Sequence, residues 1–269
     1  MRRIATGLLI GGGWLLLLVY GPFRLFWVVI SAAGAIGLYE YFQLVLREEE
    51  KKFLPAVVLI GLLPLLAAYA GRIDIIMAGL FLSVLLLAIF ILIIFQSLAN
   101  GLSSLSRISF GIVYIGFGGA HFVLLRALPE DVGVMWLLIL TAVAVGSDTG
   151  AYYVGKSIGK TKLCPAVSPG KTRAGAIGGL VTGITAGLIT ARFISPTVNL
   201  LTIVFIAFLL TCIGMVGDLT ESVIKRSVGV KDSGGLLPGH GGLLDRGDSL
   251  LLSVPVLFYL LYFGLPVAG

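Results

Sequence analysis

The sequence predicts an all-α polytopic membrane protein with about nine transmembrane helices, its N-terminus in the cytoplasm and its C-terminus outside. Three observations carry this expectation. Of the 269 residues, 58% are hydrophobic and 12% are charged, whereas a soluble domain carries about 25% charged residues. Too little polar surface remains to cover a water-soluble globule. Apolar runs near the ~20 residues that a spanning helix needs recur at 4–20, 22–46, 53–70, 73–95, 108–128, 132–155, 174–192, 198–222 and 249–266. Lysine and arginine gather on alternate connections: with the N-terminus inside, 15 of the 19 fall on the inner side and 4 on the outer, the bias that orients membrane proteins.

The first run, "MRRIATGLLIGGGWLLLLVYG", opens like a signal peptide but has no small-x-small cleavage site, so an uncleaved helix is expected. Gly21-Pro22 separates it from the second run, which carries Glu40 between Tyr39 and Tyr41. An acid inside an apolar run is a functional candidate; here, near the cytoplasmic end, an interfacial or hydrogen-bonded structural role is the other reading, and both stay open. "REEEKK" at 47–52 reads as a solvated turn between helices. His121, alone in the fifth run, reads as packing or capping. In the seventh run Gly175, Gly179, Gly183 and Gly187 recur at every fourth position. They make a smooth helix face for close packing, within the bundle or between subunits. Cys164 and Cys212 have no metal-ligand spacing, and a reducing compartment argues against a bridge.

Residues 1–130 therefore read as a transmembrane scaffold, and 131–269 as the region that carries the chemistry, with cytoplasmic loops at 156–173 and 225–248. Three polar blocks stand there. The first, Ser147 to Gly175, contains "GAYYVGKS", which fits the P-loop expression but follows an apolar helix instead of a buried strand, so that reading is set aside. Its stronger feature is "SPGKT", Ser168 to Thr172, read as a turn ahead of a helix whose exposed amides and positive dipole end would hold an anion. Asp148, at the end of the sixth run, is either a helix-end salt bridge or a contact to a metal or hydroxyl. The second block, "GDLTESVIKR", places Asp218, Glu221, Ser222 and Lys225 on one helical face. The third, "KDSGGLLPGHGGLLDRGDS", holds Asp245 and Asp248 three residues apart, with Arg246 between them. Carboxylates that hold hard cations, mixed with bases that neutralise phosphate, fit metal-assisted phosphate chemistry at the cytoplasmic membrane face. A proton-coupled transporter would instead place its acids near the bilayer midplane. No soluble module exists to carry a nucleic-acid recognition helix, so no nucleic-acid partner is expected; the net charge of +6 faces lipid headgroups or anionic solutes.

At these blocks the chain resembles a known family. "SVIKRSVGVKDSGGLLPGHGGLLDRGD", Ser222 to Asp248, resembles the signature of the phosphatidate cytidylyltransferases: S-x-apolar-K-R, four residues, K-D, apolar-P-x-H-G-G, two residues, D-R-x-D. Gly247 departs from it, standing where the family usually has an apolar residue. "SDTGAYYVGK" and "KLCPAVSPGKT" also resemble family segments, with Ala174 where the family often has an acid. The match is dense over roughly 145–250, and over the first half only a shared helical scaffold.

The resemblance implies that CTP and phosphatidic acid give CDP-diacylglycerol and pyrophosphate, by metal-assisted in-line attack of the lipid phosphate on the α-phosphorus of CTP. The implied cofactor is Mg2+ or another divalent cation, with a second cation left open. The implied place is a prokaryotic inner membrane among its lipids, with the site on the cytoplasmic face; a homodimer is left open. The leading metal ligands are Asp218 and Asp245, then Asp248, then Asp148 and Glu221. The expected catalytic set is Asp218, Asp245, Asp248, Lys225 and Arg226, and the substrate-binding set Ser168, Lys171, Thr172, Ser222, Lys231, His240 and Arg246. His240 either contacts substrate or braces the Gly241-Gly242 turn. The alternatives are a membrane transferase acting on another lipid phosphate, such as a polyprenol, and an ion transporter. The expected sidedness is open to direct test. A single cysteine at Ser157, in a background lacking Cys164 and Cys212, should resist an impermeant thiol reagent in intact cells and react after permeabilisation. Ready labelling of intact cells would overturn the topology.

Overall fold

In the computed structural model, which describes residues 2–94, 98–129, 132–194, 198–235 and 241–264, the apolar runs become helices. They are α1 (Arg2–Tyr20), α2 (Phe23–Val45), α3 (Leu54–Ala67), α4 (Ile73–Ile94), α5 (Leu98–Gly111), α6 (Gly118–Arg126), α7 (Val132–Ile158), α8 (Arg173–Ile194), α9 (Leu200–Ser227) and α10 (Leu244–Tyr262). Among the described residues the extended structure is one antiparallel hairpin, β1 (Lys162–Cys164) with β2 (Ser168–Thr172). Among the described residues, seven stretches are long and apolar enough to cross a membrane: Phe23–Val45, Lys51–Ala70, Ile73–Ile94, Gly101–Arg126, Val132–Ile158, Arg173–Ile194 and Leu200–Ser227. The expected first and ninth spans are helices too, but fall outside that group; α1 contributes the shorter apolar helix Leu9–Tyr20. The protein is an all-α polytopic membrane protein. Large apolar side chains such as Leu92, Phe193 and Leu201 lie fully open on helix faces, as lipid contact requires.

By packing, the chain divides into two units: residues 1–127 with 228–247, and residues 128–227 with 248–269. In the first, α5 passes through a π-helical segment, Ile112–Phe117, into α6, so the fifth run is one rod with a widened turn. Gly111 and Gly116 sit where a Cβ would strike Tyr41 and the Gly61 carbonyl, and the helices close up there. His121 is buried, with Nδ1 2.8 Å from the Phe117 carbonyl, which is the packing role expected of it. The 47–52 turn is a correction. Glu50 is buried within it, accepts the Arg47 N–H at 2.8 Å, pairs with Arg107 Nη2 at 3.1 Å, and receives the Ser104 hydroxyl. An ion pair to α5 pins the turn that was read as merely solvated.

In the second unit α7 and α8 lie against each other along a glycine seam. A Cβ at Gly150 would overlap Thr182, one at Gly178 would stand 2.5 Å from Val154 Cβ, and one at Gly179 would stand 3.0 Å from the Ser147 carbonyl. Gly183 faces Thr211 of α9 in the same way. Thr182 uses the closeness to donate its hydroxyl to the Gly146 carbonyl at 2.8 Å. The repeat of small residues is thus used for packing inside this unit. Filling it should be costly, because overpacking a tight contact destabilises by about 1–3 kcal/mol. Gly178→Leu is expected to lower the melting temperature of the detergent-purified protein; an unchanged melting temperature would show that the seam has room to spare.

Candidate active site

Helix α7 does not stop at Gly150. It runs through "GAYYVGKS" to Ile158, so the amides of the P-loop look-alike are spent on helical bonds. After it, β1 and β2 pair with Lys162 opposite Thr172 and Cys164 opposite Ser168. The "SPGKT" segment is therefore a strand, and not the turn its residues suggested. Thr172 is buried and ends the strand as the cap of α8: its Oγ1 accepts the Gly175 N–H at 3.0 Å, the position a capping hydroxyl serves. The hydroxyl of Thr172 is thus engaged with the helix start.

What the hairpin delivers is Lys171. Its Nζ lies 2.5 Å from Asp218 Oδ2 on α9. Both residues line a cavity of about 630 Å³ within the second unit, in the range of small-molecule sites. Its polar lining includes Asp148, Tyr152, Lys156, Lys162, Ser168 and Thr172, and its inner wall is apolar, with Leu140, Val143 and Leu210. Of the expected residues, Asp148, Ser168, Lys171, Thr172 and Asp218 are brought together here. Lys156 and Lys162 had been read only for sidedness. The signal for Lys156 was present: Asp148, Tyr152 and Lys156 follow at steps of four along α7, which is one helix face.

Below Asp218, one face of α9 continues into an acid–base cluster. Glu221 is fully buried, and Lys225 Nζ stands 3.3 Å from its Oε1. Asp248, just ahead of the apolar part of α10, lies within electrostatic reach of Glu221, Asp218 and Lys225. Burial pushes the Asp248 carboxyl above the usual range, Glu221 and Lys225 work against this, and the Asp218 charge adds to it. Gly217 makes this meeting of helices close, since a Cβ there would overlap the Asp248 carbonyl. Ser222 is half-buried on α9, and Arg226 is exposed at its end.

The remaining expected residues belong to the first unit. Lys231 and Arg246 are exposed. Asp245 is a loop anchor in this structure: its Oδ2 accepts the Ser233 N–H at 2.9 Å, the Ser233 hydroxyl at 3.0 Å and the Gly242 N–H at 2.8 Å. His240 lies outside the described residues. Helix α9 continues to Ser227 and α10 begins at Leu244, so the expected 225–248 loop is a connection of 228–243. The structure also gives Glu40 partners the sequence could not supply, the Leu243 and Leu244 amides and the Ser233 hydroxyl.

The donor chemistry fits a hard divalent cation. Asp248 and, within its electrostatic reach, Asp218 and Glu221 are oxygen donors, Glu221 buried and the other two half-buried, and oxygen is the donor type that such a cation takes. Among the described residues no three histidine, cysteine or acidic groups already form a complete ligand set.

Comparison with known proteins bears on the same residues. The model of the cytidylyltransferase family matches residues 1–263. The chain is 34% identical over 266 residues to the phosphatidate cytidylyltransferase of Bacillus subtilis (strain 168), covering 97% of each chain. It is 43% identical over 161 residues to the uncharacterized protein YnbB of Escherichia coli (strain K12), covering 59% of this chain and 54% of that one. It is 38% identical over 172 residues to the phosphatidate cytidylyltransferase of Staphylococcus haemolyticus (strain JCSC1435), covering 64% and 66%.

Proposed function

The chain belongs to the cytidylyltransferase family, and we propose that it joins CTP to phosphatidic acid, releasing pyrophosphate and leaving CDP-diacylglycerol in the membrane. The observation that carries this reading is the cavity at the polar ends of α7 and α9. There an apolar wall adjoins three lysines and the Lys171–Asp218 pair. A lipid phosphate and a nucleotide triphosphate need that combination, which a purely water-soluble ligand does not.

In the reaction, an oxygen of the lipid phosphate attacks the α-phosphorus of CTP. A new P–O bond forms as the bond to the β-phosphate oxygen breaks, and pyrophosphate departs. A phosphate monoester has its second pKa near about 6, so the nucleophile is already largely ionised at neutral pH and no strong base is required. The difficulty is bringing two polyanions together, which makes positioning and charge stabilisation the main tasks. Lys171, Lys156 and Lys162 are suited to the triphosphate from the cavity lining. Lys225 and Arg226 stand at the end of α9, suited to either phosphate. Lys231 and Arg246, exposed in the first unit, are phosphate-binding candidates on the family resemblance. Asp218 and Asp248 would hold magnesium, with Glu221 beside them and Asp148 and Asp245 as further candidates. When bound, the ion supplies positive charge against the phosphates and fixes their orientation. The positive-inside bias supports a cytoplasmic face for these helix ends, and a bacterial plasma membrane is part of the same proposal.

The direct test supplies purified protein in detergent with labelled CTP, phosphatidic acid and magnesium. Labelled CDP-diacylglycerol with one pyrophosphate per turnover is expected. Label passing to a polyprenol phosphate, with phosphatidic acid inert, would replace the proposed lipid substrate. Lys171→Ala and Arg226→Ala should each lower kcat/KM by roughly ten- to hundred-fold, since a hydrogen bond to a charged group contributes about 1.5–3 kcal/mol. Unchanged kinetics in both would leave these residues as topology determinants alone.

A further inference from the structure

Glu40 is the acid that the second apolar run had no evident reason to keep. In the structure it is buried, at 5% exposure. Among the described residues it pairs with no lysine or arginine. Its partners are donors of a segment some two hundred positions away. Oε1 accepts the Leu243 N–H at 3.0 Å, Oε2 accepts the Leu244 N–H at 2.9 Å, and the Ser233 hydroxyl lies 3.3 Å from Oε2. Leu244 is the first residue of α10. The carboxylate thus serves amides that a helix start leaves without partners inside the helix, and does so with negative charge at the positive end of the helix dipole.

The fit around it is close. A Cβ at Gly234 would stand 2.8 Å from Oε1 and one at Gly242 2.5 Å from Oε2. Gly241, at φ +78°, bends the chain into this arrangement. The hydroxyl of Ser233 stands between two carboxylates, 3.0 Å from Asp245 Oδ2 and 3.3 Å from Glu40 Oε2. It has one proton to give, and the shorter distance assigns it to Asp245.

The geometry points to Glu40 as the positioning residue of this connection, fixing the start of α10 and, through the adjoining Gly242 amide, the side chain of Asp245. This rests on the proposed reading in which Asp245 and Arg246 serve the transfer reaction. Glu40 touches no substrate in it. It holds the backbone that presents those two side chains, and a neutral or shorter side chain at 40 lets that backbone move.

Two readouts on the purified full-length protein test the inference. Amide exchange over 241–246 should quicken at least tenfold in Glu40→Ala, with α8 exchanging as in wild type. In Glu40→Gln, kcat per folded molecule should fall at least tenfold with KM for CTP within twofold, and Ser233→Ala should move kcat the same way by less. A residue that only helped the chain to fold would lower the melting temperature and leave kcat per folded molecule unchanged. Unaltered exchange over 241–246, or wild-type kcat in Glu40→Gln, would overturn the role. Should wild-type protein itself form no CDP-lipid from CTP, the proposed reaction falls. The exchange measurement then still decides whether Glu40 holds the connection.

Discussion

An ionised carboxylate taken out of water loses several kcal/mol of hydration unless a cation or hydrogen-bond donors replace it. The buried and half-buried acids described above follow that constraint, each in its own way. Asp218 has Lys171 at 2.5 Å, Glu221 has Lys225 at 3.3 Å, Glu50 has Arg107 at 3.1 Å, and Glu40 has two backbone amides. Asp248 meets the constraint differently, through a raised pKa. The Lys171–Asp218 pair is the one on which the candidate site depends. It joins the hairpin to α9 and lies in the wall of the cavity. The glycine seam between α7 and α8 and the close approach at Gly217 place both partners.

The same pairings set the chemistry apart from packing. An ion pair inside a scaffold, such as Glu50 with Arg107, closes on itself with serine hydroxyls from the neighbouring helix. The second-unit cluster is different. It sets the carboxylates of Asp218, Glu221 and Asp248 against Lys171 and Lys225, pushes the Asp248 carboxyl above its usual range, and adjoins a cavity whose lining also carries Lys156 and Lys162. Such an arrangement stabilises poorly by itself. It suits a site where incoming phosphates and a divalent ion complete the balance of charge. Membership in a cytidylyltransferase family removes the transporter alternative, and the apolar wall of the cavity agrees with a lipid partner.

Much of this was legible because polar residues are conspicuous in an apolar chain. The stripe from Asp218 to Lys225, the glycine repeat of α8 and the false P-loop all follow from helical periodicity, a local property. What stayed hidden depends on distant contacts. "SPGKT" is made of turn residues, and only its pairing with Lys162–Cys164 makes it a strand. Glu50 looked solvated because its cation lies 57 residues away. Glu40 could be marked as unusual from its neighbours alone, but its partners at 233, 243 and 244 carry no local trace. Lys156 and Lys162 were hidden for another reason: a lysine near a helix end serves orientation and substrate binding with the same residue type.

The central claim is that the acidic cluster of α9 and α10 exists for phosphate chemistry and not for holding the helices together. Asp218→Asn and Asp248→Asn separate these directly, because asparagine keeps the size and loses the charge that holds a hard cation. Melting temperature and magnesium-dependent rate are measured on the same detergent preparations. The expected result is a melting temperature close to wild type, turnover reduced at least a hundredfold, and residual activity that needs more magnesium. Variants that melt well below wild type, yet turn over at the normal rate and at low magnesium while folded, would contradict the claim and make the cluster a structural ion-pair network.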